Sequence, residues 1–287
     1  MAAGGECGGG ADKPQKIRCW CFAGAYAKLR AAAGREIPFM KKSRPPEKKE
    51  NTMYFAYGKA ELDALSAKDP KLAAVIAQVG MVQREVDTDL FSAVVHHIIG
   101  QQISTKAQAT IWQRMREALG TVDAAHILAA EEAQLQALGM SFRKAQYIMD
   151  FAQKVQTGEF DPEGIREKSD EEAIRELSAL QGIGVWTAEM ILLFCMQRPD
   201  VLSYSDLAIQ RGLRMVYHHR KITRPLFEKY RRRFSPYGSV ASLYLWAVAG
   251  GAVPGMKDYA PRTKAPERKK QRRSSAGMSI ALTEKME

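Results

Sequence analysis

Leu177-Ser178-Ala179-Leu180-Gln181-Gly182-Ile183-Gly184-Val185-Trp186-Thr187-Ala188 is the stretch from which the rest of the chain is best read. Ser169, with Glu172 three residues on, has the pattern of a capping box and predicts a helix over 170–180. The apolar run from Val185 to Cys195 predicts a second helix. Between them, Gly182-Ile183-Gly184 must turn the chain sharply. Two glycines around one aliphatic residue permit conformations closed to other residues and let a bulky group approach the main chain. The start of the second helix adds unpaired N–H groups and the positive end of a helix dipole, so the turn suits an anion. The plainer alternative is a helix corner with ordinary glycine caps, in which Thr187 and Ala188 are merely small enough for close packing.

Asp206 follows after the loop Gln197-Arg198-Pro199-Asp200-Val201-Leu202-Ser203-Tyr204-Ser205. It precedes an apolar-periodic segment, Leu207 to Tyr217, where a helix N-cap is common. The other reading is a carboxylate that acts on whatever the turn holds, and one residue can do both. Working outward, nearly every segment is helical in period. Asp69-Pro70 reads as an N-cap and first-turn pair. Asp89 to Ile99 is apolar on most sides and predicts a central buried helix, broken at Gly100-Gln101-Gln102. Ser104 caps a helix over 105–119, short helices follow over 124–130 and 131–137, and another spans 142–157. Helices over 224–234 and 240–249 complete the set, after a first one beginning at Glu61. Alternating strand patterns are lacking throughout, so the fold class is all-α.

The 287 residues carry a net charge of +11, and its location matters more than its size. Residues 1–52 hold eleven Lys/Arg against five Asp/Glu, and residues 257–287 hold nine against four, which leaves 53–256 neutral. The two ends lack a sustained apolar period and read as a disordered basic extension and a disordered basic tail. Within the neutral part, Arg211, Arg214, Arg220, Lys221, Arg224, Lys229, Arg231, Arg232 and Arg233 are dense enough either to track phosphates or to form a solvated helix face. No run is long and apolar enough for a membrane span and no signal pattern opens the chain, so a soluble, cytoplasmic protein is expected. Cys7, Cys19, Cys21 and Cys195 offer no disulfide framework, and Cys195 reads as a core residue.

Four motifs in consistent order closely resemble the helix-hairpin-helix DNA glycosylase superfamily, and within it the bacterial 3-methyladenine DNA glycosylase II branch. They are the 177–188 hairpin, Asp206 with Leu207-Ala208-Ile209-Gln210-Arg211-Gly212, the turn Ile98-Ile99-Gly100-Gln101-Gln102-Ile103-Ser104, and Pro236-Tyr237-Gly238 leading into Ser239–Trp246. The resemblance covers roughly residues 53 to 251. It implies two helical subdomains flanking an active-site cleft, and a monomeric base-excision repair enzyme that hydrolyses the N-glycosidic bond of alkylated purines in damaged double-stranded DNA.

The resemblance also implies roles. Asp206 becomes the catalytic acid, supporting the sugar cation and the attacking water. Trp186 and Tyr204 would line the base pocket, although Trp186 alone also reads as a core residue. Gly182, Gly184 and Thr187 would hold a DNA strand, with a monovalent cation at the Gly182–Gly184 backbone. Gln101 and Gln102 would lie near the minor groove, Gln102 filling the gap left by the flipped base; without the resemblance they read as a solvated polar turn. Of His96 and His97, one is expected as a core residue and the other as a candidate to face the pocket. Bifunctional relatives carry a lysine where Val185-Trp186 stands, so the expected reaction uses water and is monofunctional. The cysteines that hold an iron–sulfur cluster in several relatives have no counterpart after Cys195, so no cofactor is expected. Gly238 departs from a position that is often basic. A glycosylase for oxidised or mismatched bases, or a non-catalytic DNA-binding module, are the alternatives.

Overall fold

The computed structural model describes residues 53–261. The expectations for 1–52 and for most of the basic tail lie outside the described residues. Within them the chain forms α1 (Lys59–Lys68), α2 (Pro70–Val79), α3 (Leu90–Gly100), α4 (Thr105–Leu119), α5 (Ala124–Ala129), α6 (Glu132–Ala137), α7 (Phe142–Gln156), α8 (Asp170–Ala179), α9 (Val185–Phe194), α10 (Leu207–Tyr217), α11 (Arg224–Phe234) and α12 (Gly238–Ala249). A short 3-10 turn spans Gly164–Glu167. An isolated antiparallel bridge, Tyr54 with Glu85, is the sole extended pairing among the described residues.

Local chemistry sets these boundaries. The Ser169 hydroxyl accepts from the Glu172 N–H while the Glu172 carboxylate accepts from the Ser169 N–H, the reciprocal box that starts α8. Ser104 accepts from Ala107 N–H at 3.2 Å and starts α4. The first helix starts at Lys59, before Glu61, because the Gly58 N–H donates back to the Glu61 carboxylate at 2.8 Å. Asp69 is buried because it does two jobs. Its Oδ1 caps α2 at Lys71 and Leu72, and its Oδ2 accepts from Arg233 Nη1 at 2.7 Å, which ties α2 to α11.

The helices fall into two groups. Helices α3 to α9 form one group: α4, α7 and α9 pack on α3, whose Val94, Val95, Ile98 and Ile99 are fully buried, while α5 and α6 pack on α7 and α8 on α9. The first two and last three helices form the other group, built on the contact of α10 with α12. That contact is close because Gly212 has no side chain: a Cβ there would lie 2.4 Å from the Leu245 carbonyl oxygen. Phe194 at the end of α9 stacks on Trp246 of α12, with ring centroids 5.6 Å apart, and so joins the groups. Asp206 caps α10 in one group and Trp186 opens α9 in the other, so the junction of the groups is where they meet.

The ordered part extends further than the sequence reading placed it. Residues 257–261, assigned to a disordered tail, include Asp258, which accepts bidentately from Arg214 at 2.8 Å on both oxygens, and Tyr259, whose ring lies 4.5 Å from that of His218. A charge-assisted bidentate pair is strong enough to dock a segment that has little apolar surface of its own.

Candidate active site at the junction of two helical groups

The hairpin turn is built from two glycines that are needed for different reasons. Gly182 has φ +82°, and a Cβ on it would stand 2.4 Å from Cδ2 of Tyr147 on α7. The fold itself demands glycine there. Gly184 has an ordinary φ of −94°, and a Cβ on it would meet nothing within 4 Å. No contact inside the fold demands glycine at 184; it is the N-cap of α9, a position glycine suits, and the open space above it admits an outside group. No side chain caps α9, so its first-turn N–H groups are left for an outside acceptor. Thr187, in the first turn of α9, is largely buried.

The turn also bears on the expected cation. The Leu180 carbonyl accepts from the Ile183 N–H at 3.1 Å and the Gly182 carbonyl from Gln101 Nε2 at 2.5 Å, each with a second lone pair to offer. One turn back, the buried Ser178 hydroxyl has no hydrogen-bond partner. Oxygen donors of this kind suit a hard monovalent cation in their chemistry. Among the described residues no three His, Cys, Asp or Glu side chains converge on a metal site.

Asp206 is 6% exposed. Its Oδ1 accepts from the N–H groups of Ala208 and Ile209, both at 2.8 Å, as an N-cap should. Its Oδ2 accepts from the indole Nε1 of Trp186 at 3.0 Å. The cap therefore occupies one oxygen only, and the other is tied to the helix that begins at the hairpin. The loop that delivers Asp206 is nailed down by the start of α12. Ser239 Oγ accepts from Val201 N–H at 2.9 Å, Ser242 Oγ donates to the Val201 carbonyl at 3.0 Å, and Gly238 N–H donates to Asp200 Oδ1 at 3.0 Å. The last contact explains glycine at 238, since a Cβ there would sit 2.7 Å from the same carboxylate oxygen.

The other expected site residues divide. Trp186 is brought to Asp206, with its N–H committed to that carboxylate. Tyr204 turns toward α11: its ring meets Phe227 edge-on at 5.2 Å and lies under the Arg224 guanidinium at 5.0 Å. Gln101 is half-buried and spends its amide on the Gly182 carbonyl, so it braces the turn instead of projecting outward. Gln102 is exposed and holds a left-handed φ of +56°. His96 packs its ring 4.8 Å from that of Trp112. Burial beside His96 and Arg84 pushes the His97 imidazole down to about 4, so it is neutral near pH 7. The basic run divides: Arg211 and Arg214 pair with Asp258 and Arg233 with Asp69 in partly buried contacts, while Arg220, Lys221, Arg224, Lys229, Arg231 and Arg232 are exposed, Arg224 and Arg231 beside Glu228. Burial pushes the Cys195 thiol up to about 12, as suits a core residue.

Two residues stand at the site without having been singled out from sequence. Glu189, one turn beyond Trp186 on α9, accepts from the hydroxyl of fully buried Ser203, which itself lies 3.2 Å from the Ser205 hydroxyl. Burial holds the Glu189 carboxyl above the usual range, and the charge of nearby Asp206 pushes the same way, against Ser203, Arg231 and Arg224. One acid in the otherwise apolar run Thr187–Phe194 was the available signal. Lys144 on α7 donates from Nζ to the carbonyls of Ile99 at 2.8 Å and Gln101 at 2.7 Å. Only long-range geometry shows it.

A family model described as HhH-GPD superfamily base excision DNA repair protein matches residues 95–236, a span that holds the 101–102 turn, the hairpin and Asp206. The solved DNA-3-methyladenine glycosidase of Bacillus halodurans is similar at 32% identity and a TM-score of 0.63, over 69% of this chain and 93% of that one. The chain belongs to this superfamily. Within the superfamily, the Schizosaccharomyces pombe 3-methyladenine DNA glycosylase solved in complex with abasic DNA is similar at 25% identity and a TM-score of 0.60, over 67% of this chain and 97% of that one. Among curated relatives, the chain spans 64% of the length of a Bacillus subtilis protein at 24% identity and 91% of DNA-3-methyladenine glycosylase 1 of S. pombe at 25% identity.

Proposed function

We propose that this protein is a monofunctional DNA glycosylase of base excision repair that releases alkylated purines of the 3-methyladenine type. One observation carries the reading: the carboxylate of Asp206 is shared between its own helix cap and Trp186, at the start of the hairpin's second helix. A residue that served only as a cap would have no use for that second tie. The names of the relatives, base excision proteins and 3-methyladenine glycosylases, support the substrate class.

On this reading the N–H groups at the start of α9 hold a phosphate of the damaged strand, with positioning but no sequence information. A monovalent cation on the turn carbonyls would add positive charge beside that phosphate. The damaged nucleotide leaves the stack, and Gln102 occupies the space it vacates. A base lying over the sugar meets the indole ring of Trp186, and a methylated purine carries positive charge that favours stacking on an aromatic face. As the C1′–N bond breaks, the electron pair leaves with the base and positive charge grows on the sugar. Asp206 stabilises that charge, accepts a proton from the attacking water, and an abasic site results. No lysine lies between Gln181 and Asp206, so no amine stands ready to displace the base and cut the strand.

The test is free-base release from methylated duplex DNA, with strand nicking scored before and after alkali. Release of 3-methyladenine by the wild type and not by Asp206→Asn, with nicking only after alkali, is expected. Release of 8-oxoguanine or of mismatched bases instead would overturn the substrate class. Indifference to Asp206→Asn would reduce the chain to a binding module.

A further inference from the structure

Three contacts close a triangle behind the surface that carries the exposed Gln102. The first runs from α7 to the turn after α3: Lys144 Nζ donates to the Ile99 carbonyl in the last turn of α3 and to the Gln101 carbonyl beyond it. The second runs from that turn to the hairpin, where Gln101 Nε2 donates to the Gly182 carbonyl. The third runs from the hairpin back to α7, where the Tyr147 ring fills the space a Cβ of Gly182 would need. Lys144 and Tyr147 are three residues apart and so lie on one face of α7. A lysine on the final carbonyls of a helix is ordinary capping when it stops there. Here the same ammonium also grips the next residue but one, immediately before Gln102. Gln102 itself holds φ +56°, a conformation a non-glycine residue keeps only where its surroundings impose it.

We propose that Lys144 is a positioning residue: through Gln101 it sets the backbone at Gln102 and locks the plug loop in register with the hairpin turn. This rests on the DNA reading above and adds a residue to it that touches neither base nor phosphate. Its physical basis is that one rigid face of α7 holds both DNA-contacting loops, so the ordering of the plug is completed before binding rather than during it. Burial in this geometry lowers the affinity of Lys144 for its proton.

The experiment uses the full chain and a duplex holding a stable tetrahydrofuran abasic analogue with 2-aminopurine opposite. Affinity relative to the undamaged duplex and 2-aminopurine fluorescence are measured for wild type, Lys144→Met, Lys144→Arg, Gln102→Ala and the double variant Lys144→Met with Gln102→Ala. Lys144→Met is expected to lose selectivity for the abasic duplex by about tenfold, together with the fluorescence change, and the double variant to be no worse than Gln102→Ala alone. Lys144→Arg keeps a donor and restores most of the selectivity. Losses that multiply in the double variant, or wild-type selectivity in Lys144→Met, overturn the proposal. Should Lys144→Met fail to fold, Lys144→Gln, whose amide is too short to reach both carbonyls, enters the same cycle, and a multiplied loss there overturns it equally. A wild type that prefers the abasic duplex yet releases no base would sink the glycosylase reading and leave this comparison standing. A wild type without that preference sinks the positioning role.

Discussion

The hairpin turn and the Asp206 loop meet at one junction and are made by opposite means. The hairpin presents backbone: one glycine at a positive φ, a second glycine with open space above it, and an uncapped helix start. The Asp206 loop presents a single side chain, and its own backbone is pinned by Ser239, Ser242 and Asp200 around the start of α12. A surface that grips a repeating phosphate chain can be built from main-chain N–H groups, because every phosphate offers the same oxygens. A group that must meet one reacting carbon has to be fixed from several directions. Substitutions should therefore separate the two regions cleanly, with chemistry lost at one and grip lost at the other.

The largest effect is expected at Asp206. Asparagine remains a good cap for α10, so Asp206→Asn should fold normally, lose base release by about 100-fold or more, and keep DNA affinity within about twofold. Single-turnover release and equilibrium binding check this, and loss of binding along with release would erase the distinction drawn here. The two hairpin glycines sharpen it further. Gly182→Ala should destabilise the fold by about 1–3 kcal/mol, because the new Cβ meets the Tyr147 ring and φ is positive. Gly184→Ala should cost the fold no more than about 1 kcal/mol, the difference between glycine and alanine as a cap, while weakening binding to duplex DNA. Thermal melts beside binding curves at two salt concentrations decide between them, and equal melting losses would show that 184 is a folding requirement after all.

A smaller effect is expected where the regions touch. Trp186→Phe keeps an aromatic face and deletes the N–H that reaches Asp206, so base release should fall about tenfold with little change in melting temperature. Unchanged release would leave the indole N–H a structural contact only. The smallest concerns Glu189, whose carboxyl is held above its ordinary value of 4.5, mainly by burial. The native state then binds its proton more tightly than the unfolded chain does, so this group's contribution to stability falls as pH rises from that ordinary value through the raised one. Glu189→Gln still accepts from Ser203 and has no charge to bury. Its melting temperature relative to wild type should rise with pH across that window and level off above it. A difference independent of pH would show that Glu189 does not titrate there.

Much of the architecture is legible without coordinates because helix ends are local events. The Ser169–Glu172 box, the Asp69 and Ser104 caps and the break at Gly100-Gln101-Gln102 each involve residues within four positions of one another. As a cap, Asp206 was legible for the same reason; as a candidate acid it was legible only through the resemblance. The partner of Gln101 was not legible, because it is Gly182, 81 positions away. The contacts of Tyr204 were not legible, because Arg224 and Phe227 lie on another helix.

The sequence by itself determined the helices, the hairpin and the placing of a carboxylate at the start of α10, since period, caps and glycine spacing act over one or two turns. The tertiary structure alone decided which polar side chains face one another. Trp186 with Asp206, Glu189 with Ser203 and Lys144 with Gln101 are donor and acceptor pairs whose members lie on different elements. Nothing in the order of residues states how helices cross, and hydrogen bonds, which fail beyond a few tenths of an ångström, exist only once the crossing is set.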